Sequence, residues 1–304
     1  MVDKVKISIV LPVYNGEKTI KSTLESLLNQ TFQDFEVIAC VDGTNDSSKQ
    51  ILESFYLKFK RLIIIENDTN IGLGPTMNRL VSNAKGDYIA VAEQDDYYYE
   101  NRLKLQVEIL DNNKEIGLVS GIAEFWNGKK VTSLFPGLLV GKNQYPKGKG
   151  MFLLNYRNQI KVVNSCMMFR KSIHIKKGLY FTKHHPNISV DWTYILRFSL
   201  ISEIYGIPEV LVRLDRRPER DSITTKKENQ FKASRELIKG FAYEYPDIIT
   251  KQDYKFALNT QKIMEISQFY GWRFYLKCLW IIIINPNEKR YRNIMLNRFN
   301  KRKK

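Results

Sequence analysis

Cysteine, histidine and long apolar runs are scarce in this sequence, and each scarcity removes a class of chemistry. The cysteines are three, Cys40, Cys166 and Cys278, far apart in apolar or strand-like surroundings. An odd, dispersed set argues against a disulfide framework or a cysteine zinc site and points to a reducing cytosol. His174, His184 and His185 have no metal-ligand spacing with them and read as loop histidines. The first apolar run, Ile7 to Leu11, is short and stops at Pro12, so neither a signal peptide nor export is expected.

What is present is apolar residue and positive charge. A hydrophobic content of 43% over 304 residues supports one large or two modest folded domains and is incompatible with wholesale disorder. A formal net charge of +16 calls for an anionic partner, and nucleic acid, anionic lipid and a phosphorylated substrate meet that demand equally well. Part of the charge is local: Lys289, Arg290, Arg292, Arg298, Lys301, Arg302, Lys303 and Lys304 are opposed in their own stretch only by Glu288.

Along the first third of the chain, apolar runs alternate with helical spacing. Ile7 to Leu11 reads as a strand, followed by a loop at Pro12 to Glu17 and a helix carrying Ile20, Leu24, Leu27 and Leu28. Phe35 to Val41 and Leu62 to Ile65 repeat the pattern. Their loops are Asp42 to Ser48 and Asn70 to Gly74, and their helices carry Ile51, Leu52 and Phe55, then Met77, Leu80, Val81 and Ala84. Pro75 suits a first helical turn. Tyr88 to Ala92 is a fourth strand and runs into Glu93, Gln94, Asp95 and Asp96. Four such alternations predict an α/β fold with a mostly parallel central sheet flanked by helices, whose strand-end loops converge on one crevice. Beyond residue 115, strands are expected at Ile116 to Ser120, Cys166 to Phe169 and Val210 to Leu214, and a helix over Asp191 to Ile201. Residues 121–160 fit either an acceptor-side insertion or a loop.

Two adjacent aspartates after a buried strand repel each other, and a divalent cation that also binds a diphosphate would relieve the repulsion. Solvated carboxylates, or carboxylates capping a helix near Asn101, are the plainer alternative.

The motifs Ile9 to Asn15 (IVLPVYN), Asn29 to Glu36 (NQTFQDFE), Asp42 to Ser47 (DGTNDS), Asn70 to Gly74 (NIGLG) and Glu93 to Gln106 occur in order. Together they resemble bacterial family 2 glycosyltransferases over residues 5–225. That resemblance implies a GT-A type nucleotide-diphospho-sugar transferase fold and inverting sugar transfer from a nucleoside-diphosphate-sugar, a UDP-sugar by preference. It implies that Pro12, Tyr14, Asn15, Glu17, Asp42, Asn70, Gly74 and Asp95 bind nucleotide. Tyr14 would lie against the base, Asp42 would accept its imide hydrogen and Asp95 would approach the ribose. Asp96 would hold Mn2+ or Mg2+. Asn164 to Lys171 (NSCMMFRK) and Val190 to Arg197 (VDWTYILR) are similar to the family's second-half signatures and make Asp191 the catalytic base. Without the resemblance, Asp191 reads as a helix cap before Trp192. Trp192 and Arg213 are expected near the acceptor or diphosphate, with Arg216, Arg217 and Arg220 in the same basic segment. The chain departs from the family pattern at Val41 and Val190, where acidic residues are usual, and at Glu93, where aspartate is common.

Phe274 to Ile284 (FYLKCLWIIII) is too short and too charged to span a bilayer. Followed by the basic tail, it fits an interfacial anchor at an anionic membrane, or a core helix. The expected organisation is a nucleotide-sugar-binding half (1–115), an acceptor-binding and catalytic half (116–225) and a helical, basic, membrane-associating C-terminal extension (226–304). The implied role is transfer to a glycan or lipid-linked acceptor in bacterial surface polysaccharide synthesis, without nucleic acid, by a cytoplasmic protein peripheral on the inner face of the membrane. An inactive nucleotide-binding homologue is a second reading. A basic polyanion- or membrane-binding module without chemistry is a third.

Overall fold

A computed structural model describes residues 5–159, 162–183, 189–217, 227–284, 286 and 288–302. His184, His185, Arg220, Asn285, Lys303 and Lys304 lie outside the described residues. The chain divides into two compact units, residues 1–226 and 227–304.

The first unit opens with β1 (Ile7–Val13), α1 (Ile20–Leu28), β2 (Phe35–Asp42), α2 (Ser48–Glu53), β3 (Leu62–Asn67), α3 (Leu73–Asn83) and β4 (Tyr88–Val91). β1 pairs in parallel with β2 and β4, and β2 pairs in parallel with β3. The apolar runs of β1 and β2 follow from this, since a central strand covered on both faces cannot alternate apolar with polar. Side chains still alternate between faces. Ile7, Ile9, Leu11 and Val13 pack with Ile20, Leu24 and Leu27 of α1. Val10, Ile38 and Cys40 pack on the opposite side with Met77, Leu80 and Val81 of α3.

The second part contributes β5 (Tyr97–Tyr98), α4 (Arg102–Asn112), β6 (Ile116–Trp126), β7 (Val131–Phe135), α5 (Gly137–Val140), α6 (Lys149–Asn158), a 3-10 turn (Asn164–Cys166), β8 (Met168–Arg170), α7 (Lys171–Lys176), α8 (Val190–Ser199) and β9 (Glu203–Asp215). The sheet order is β3-β2-β1-β4-β8-β6-β9-β5, with β7 on β6. Its first four strands are parallel. β8 runs antiparallel to both β4 and β6, and β5 antiparallel to β9, so parallel pairing returns only at β6–β9. Residues 121–159 are therefore not loop throughout: β6 runs on to Trp126, and β7, α5 and α6 follow. β7 is largely exposed and carries no apolar alternation that would mark it.

His174 is not a loop residue. It sits in α7 within a ring cluster of Phe169, Phe181 and Tyr194, its Nδ1 3.0 Å from the Tyr194 hydroxyl, and burial pushes its pKa down to about 4. The three cysteines are free and buried.

The second unit is helical: α9 (Lys227–Glu244), α10 (Lys251–Ile266), α11 (Gly271–Ile284) and α12 (Lys289–Arg302). α10 begins with a capping box, in which the Thr250 hydroxyl accepts from the Asp253 amide and the Asp253 carboxylate accepts from the Thr250 amide. Among the described residues no helix is long and apolar enough to cross a membrane.

Candidate active site

The loops that leave β1, β2 and β4 are tied together by side chains. Gln94 exchanges two hydrogen bonds with the Tyr14 backbone, accepting from its amide at 2.9 Å and donating to its carbonyl at 2.8 Å. Asn15 takes the left-handed conformation (φ 49°), which asparagine tolerates. Its amide donates to the Thr44 hydroxyl at 3.0 Å, and its side-chain oxygen accepts from that hydroxyl at 2.8 Å. The Gly16 amide donates to Ser48 Oγ, and the Glu17 amide to Asp46 Oδ2. Burial works against the Asp46 carboxylate, but hydrogen bonds from Ser48, the Glu17 amide and Thr44 outweigh it and hold its pKa down to about 2. This bracing leaves the Tyr14 ring exposed at the rim.

Asp42 has a scaffolding task that its sequence position does not reveal. Parallel register sets it beside Asn67, whose amide donates to Oδ1 at 2.7 Å, while the Ile71 and Gly72 amides donate at 2.9 and 3.0 Å. Three of about four lone-pair sites are thus taken, one by the last residue of β3 and two by the loop after it, and one on Oδ2 remains for a ligand. Gly43, at φ +63°, lies under the same loop: a Cβ there would stand 2.3 Å from the Asn70 amide nitrogen. Asn70 is exposed at the loop tip. Gly74 is required for packing, because a Cβ would stand 1.9 Å from the Thr182 carbonyl.

At the end of β4, Glu93, Asp95 and Asp96 each place one oxygen within 4.8 Å of the others. Asp96 is 3% exposed, and its Oδ2 has no hydrogen-bond partner. Burial, then repulsion from Glu93 and Asp95, raises its pKa well above the usual carboxylate range. Glu93 rises to about 7 through burial and Asp95, with Asp191 adding to the shift and Asn164 and Arg216 opposing it. An unpartnered buried oxygen among mutually repelling carboxylates fits a hard, oxygen-binding divalent cation such as Mg2+ or Mn2+. None of these carboxylates caps α4, whose N-cap Asn101 makes no side-chain cap bond.

The acidic loop is clamped from below. Asn164 Nδ2 donates to Glu93 Oε1 at 2.6 Å, and the Ser165 side chain hydrogen-bonds Asp96. The guanidinium of fully buried Arg102 donates to the Val91 carbonyl at 2.6 Å and lies 4.5 Å from the Tyr98 ring centroid. Gln106 Nε2 donates to the Cys166 carbonyl at 2.5 Å. α4 and the 3-10 turn thereby hold the acidic loop against the second half of the sheet.

Asp191 occupies the first turn of α8, its Oδ1 accepting from the Trp192 amide at 2.8 Å. Burial raises its pKa. It shares a narrow cleft with Pro12, Glu93 and Asn164, so residues nearly 180 positions apart along the chain meet at one place.

The family model for glycosyl transferase family 2 matches residues 8–176, more than half of the chain. The chain belongs to glycosyl transferase family 2. An uncharacterized glycosyltransferase of Methanocaldococcus jannaschii is 38% identical over 119 residues, 38% of this chain and 41% of that protein. One from Rickettsia typhi is 26% identical over 291 residues, covering 93% of this chain and 85% of the relative. The poly(ribitol-phosphate) beta-glucosyltransferase of Bacillus spizizenii is 43% identical over 95 residues, 30% of this chain and 15% of that one. Among solved structures, S. aureus TarS in complex with UDP-GlcNAc matches with a TM-score of 0.63 at 21% identity, over 78% of this chain and 67% of that one. The mannosyltransferase of Pyrobaculum calidifontis in complex with GDP-Man and Mn2+ matches with a TM-score of 0.58 at 14% identity, over 96% and 83%. The fold is of the GT-A type.

Two departures from the family 2 pattern have packing reasons. Val41 faces the core beneath α1 and α2, and Val190 faces the one beneath α3 and α8, so an acid at either position would be buried in apolar surroundings. Two expectations fail on placement. Trp192 is 1% exposed and its indole donates to the Asn155 carbonyl at 3.1 Å, so it is a core residue and not an acceptor platform. Arg213 pairs with Glu124 at 2.6 Å and donates to the Tyr99 hydroxyl at 2.9 Å, so its guanidinium is committed away from a diphosphate. Arg216, exposed and 4.8 Å from the Phe125 ring centroid, is the arginine whose charge reaches both Glu93 and Asp96. Gln94, Asp46, Asn164 and Arg102 were not expected from sequence. All four lie inside the quoted motifs, yet nothing local distinguishes their contacts.

Proposed function

We propose that this chain is an inverting glycosyltransferase that moves a sugar, hexosyl or N-acetylhexosaminyl, from a UDP-sugar to a hydroxyl of a glycan or lipid-linked acceptor. The observation that carries the reading is the meeting of the acidic loop with Asp191 in one cleft at the carboxyl ends of β1 and β4. Tyr14 and the free lone pair of Asp42 offer a flat ring and a directional acceptor for the base. Asp95 reaches toward the ribose, and Glu93 and Asp96 form the floor that would hold Mn2+ or Mg2+. The cation, when bound, would neutralise the diphosphate as it departs. Asp191 takes the proton from the acceptor hydroxyl while that oxygen bonds to the anomeric carbon, opposite the breaking bond to the diphosphate. The bonding pair leaves with the nucleoside diphosphate, whose charge Arg216 balances.

Support for a UDP donor comes from the TarS complex and for a metal from the mannosyltransferase complex, each at fold level only. A polysaccharide acceptor accords with the name of the Bacillus spizizenii relative, and a lipid-linked one with work at the cytoplasmic face of the cell membrane, where the protein would sit peripherally. The test is thermal unfolding against a panel of nucleotide-sugars with and without manganese. A true donor at 100 times its Kd adds about 2.7 kcal/mol of stability, and Asp96→Ala removes the manganese-dependent part. The reading fails if no nucleotide-sugar stabilises the chain or if Asp96→Ala binds nucleotide as the unaltered chain does.

A further inference from the structure

Membrane placement, as proposed above, leaves open which surface meets the lipid. α11 is apolar on both of its faces. Phe274, Cys278 and Ile281 are buried in a small core with Ile266 of α10 and Tyr291 of α12. Trp272, Leu276, Leu279, Trp280 and Ile283 recur at helical spacing on the opposite side and remain in solvent, with Trp272 68%, Trp280 64% and Ile283 76% exposed. A helix apolar all round is ordinarily enclosed by protein or by lipid. At 14 residues α11 is roughly 21 Å long, short of the ~30 Å hydrocarbon layer, so it can lie in an interface but not cross it.

The rim of this face is cationic. The Arg273 guanidinium is 5.8 Å from the Trp272 ring centroid and Lys277 Nζ is 4.5 Å from that of Phe269, whereas Arg298 of α12 lies 4.3 Å from the ring of buried Phe274, on the other side of the helix. The sequence from 269 to 302 contains a single acidic residue, Glu288, and its carboxylate already accepts from Arg290 at 2.8 and 2.9 Å. Exposed tryptophans and aliphatics ringed by unopposed cations match the boundary layer of an anionic bilayer. A second copy fits less well. The 4-3-4 spacing of Trp272, Leu276, Leu279 and Ile283 spans under two heptads, whereas a coiled coil needs about three or more, and two such faces would bring Arg273 and Lys277 against their own kind.

We propose that the Trp272–Ile283 face of α11 is a docking surface for anionic lipid, lying flat among the headgroups with Arg273 and Lys277 at its edge. This deepens the membrane placement of the proposed function and rests on it, but its test is independent of the nucleotide site. The full chain is floated with vesicles of phosphatidylcholine alone or mixed with phosphatidylglycerol, and tryptophan quenching by brominated lipid reports depth. Binding is expected only with the anionic vesicles, with quenching. Trp280→Ser with Ile283→Ser is expected to weaken it about tenfold or more, and Arg273→Gln with Lys277→Gln about tenfold at low salt. UDP affinity should be unchanged in both pairs, which separates failure here from failure at the active site, and unchanged helix content by circular dichroism shows that the helical unit still folds. The proposal is overturned if the chain ignores anionic vesicles, if either pair binds them undiminished, or if sedimentation shows a dimer that Trp280→Ser dissociates.

Discussion

In the metal-free protein, buried His174 and half-buried Glu93 have titrations that pull stability in opposite directions across nearly the same pH range. His174 is held neutral by its ring cluster, with its pKa lowered from 6.5 to about 4. Between those values the unfolded chain binds a proton that the folded one refuses, so stability rises with pH through the window and is lost on acidification. Glu93 behaves inversely. Its pKa is raised from 4.5 to about 7 by burial and by Asp95, with Asp191 contributing, against Asn164 and Arg216. There the folded chain keeps a proton that the unfolded one has released, so stability falls as pH climbs from 4.5 toward 7. Each shift corresponds to roughly 3 kcal/mol. The two contributions have opposite signs and are separable by substitution. Urea unfolding in the presence of a chelator, repeated from pH 4 to 8, should show Glu93→Gln gaining on the unaltered chain by about 3 kcal/mol as pH rises from 4.5 to 7. His174→Gln should lose the rise expected between 4 and 6.5. Manganese should cancel much of the Glu93 penalty above pH 7, since a cation favours the ionised carboxylate. If the stability difference between Glu93→Gln and the unaltered chain does not change with pH, the account of a repelling, buried acidic cluster is wrong.

Asp191→Asn should lower transfer by about 10²- to 10⁴-fold while leaving UDP-sugar affinity within experimental error, measured by turnover and by calorimetry in parallel. Arg216→Gln should weaken UDP binding with little change in urea unfolding, whereas Arg213→Gln should leave nucleotide affinity alone and cost stability through its Glu124 and Tyr99 partners. Gly43→Ala, forced to a left-handed φ and into the Asn70 and Thr69 backbone, should cost about 2–4 kcal/mol in urea unfolding and loosen nucleotide binding through the Asp42 loop.

The parallel half of the sheet was legible because its central strands are covered on both faces: runs such as that of β2 carry a continuous apolar signal that ends abruptly in polar loops. Those loops could be nominated as a site on that ground alone. β9 was harder. It begins at Glu203, seven residues before the legible Val210, and its register against β6 shifts on either side of Ile122. Arg213 was misplaced for a related reason, since its partner Glu124 is 89 residues away and nothing local announces the pairing. Trp192 failed because the partner of its indole is in α6, a helix whose sequence shows little apolar periodicity. The clamp around the acidic loop joins distant parts of the fold, Arg102 and Gln106 by side chain to backbone bonds and Asn164 by a bond to the Glu93 carboxylate, and such contacts leave no spacing in the sequence.

The charge of the whole chain and that of its candidate centre have opposite signs, and the contrast constrains how an anionic donor could bind. A net charge of +16 attracts a nucleoside diphosphate from solution, yet the cleft it must enter is floored by Glu93, Asp95 and Asp96. Without compensation, the last few ångströms of approach would be repulsive. Proton uptake by Glu93 and Asp96 reduces the repulsion but leaves no positive charge for a departing diphosphate. A divalent cation held there would reverse the sign locally, and Arg216 would extend that reversal to the rim. It follows that donor binding should depend on both: with Arg216→Gln in place, manganese should still enhance UDP affinity, but by a smaller factor than in the unaltered chain. An equal factor in both would mean that the arginine and the cation do not act on the same phosphate charge.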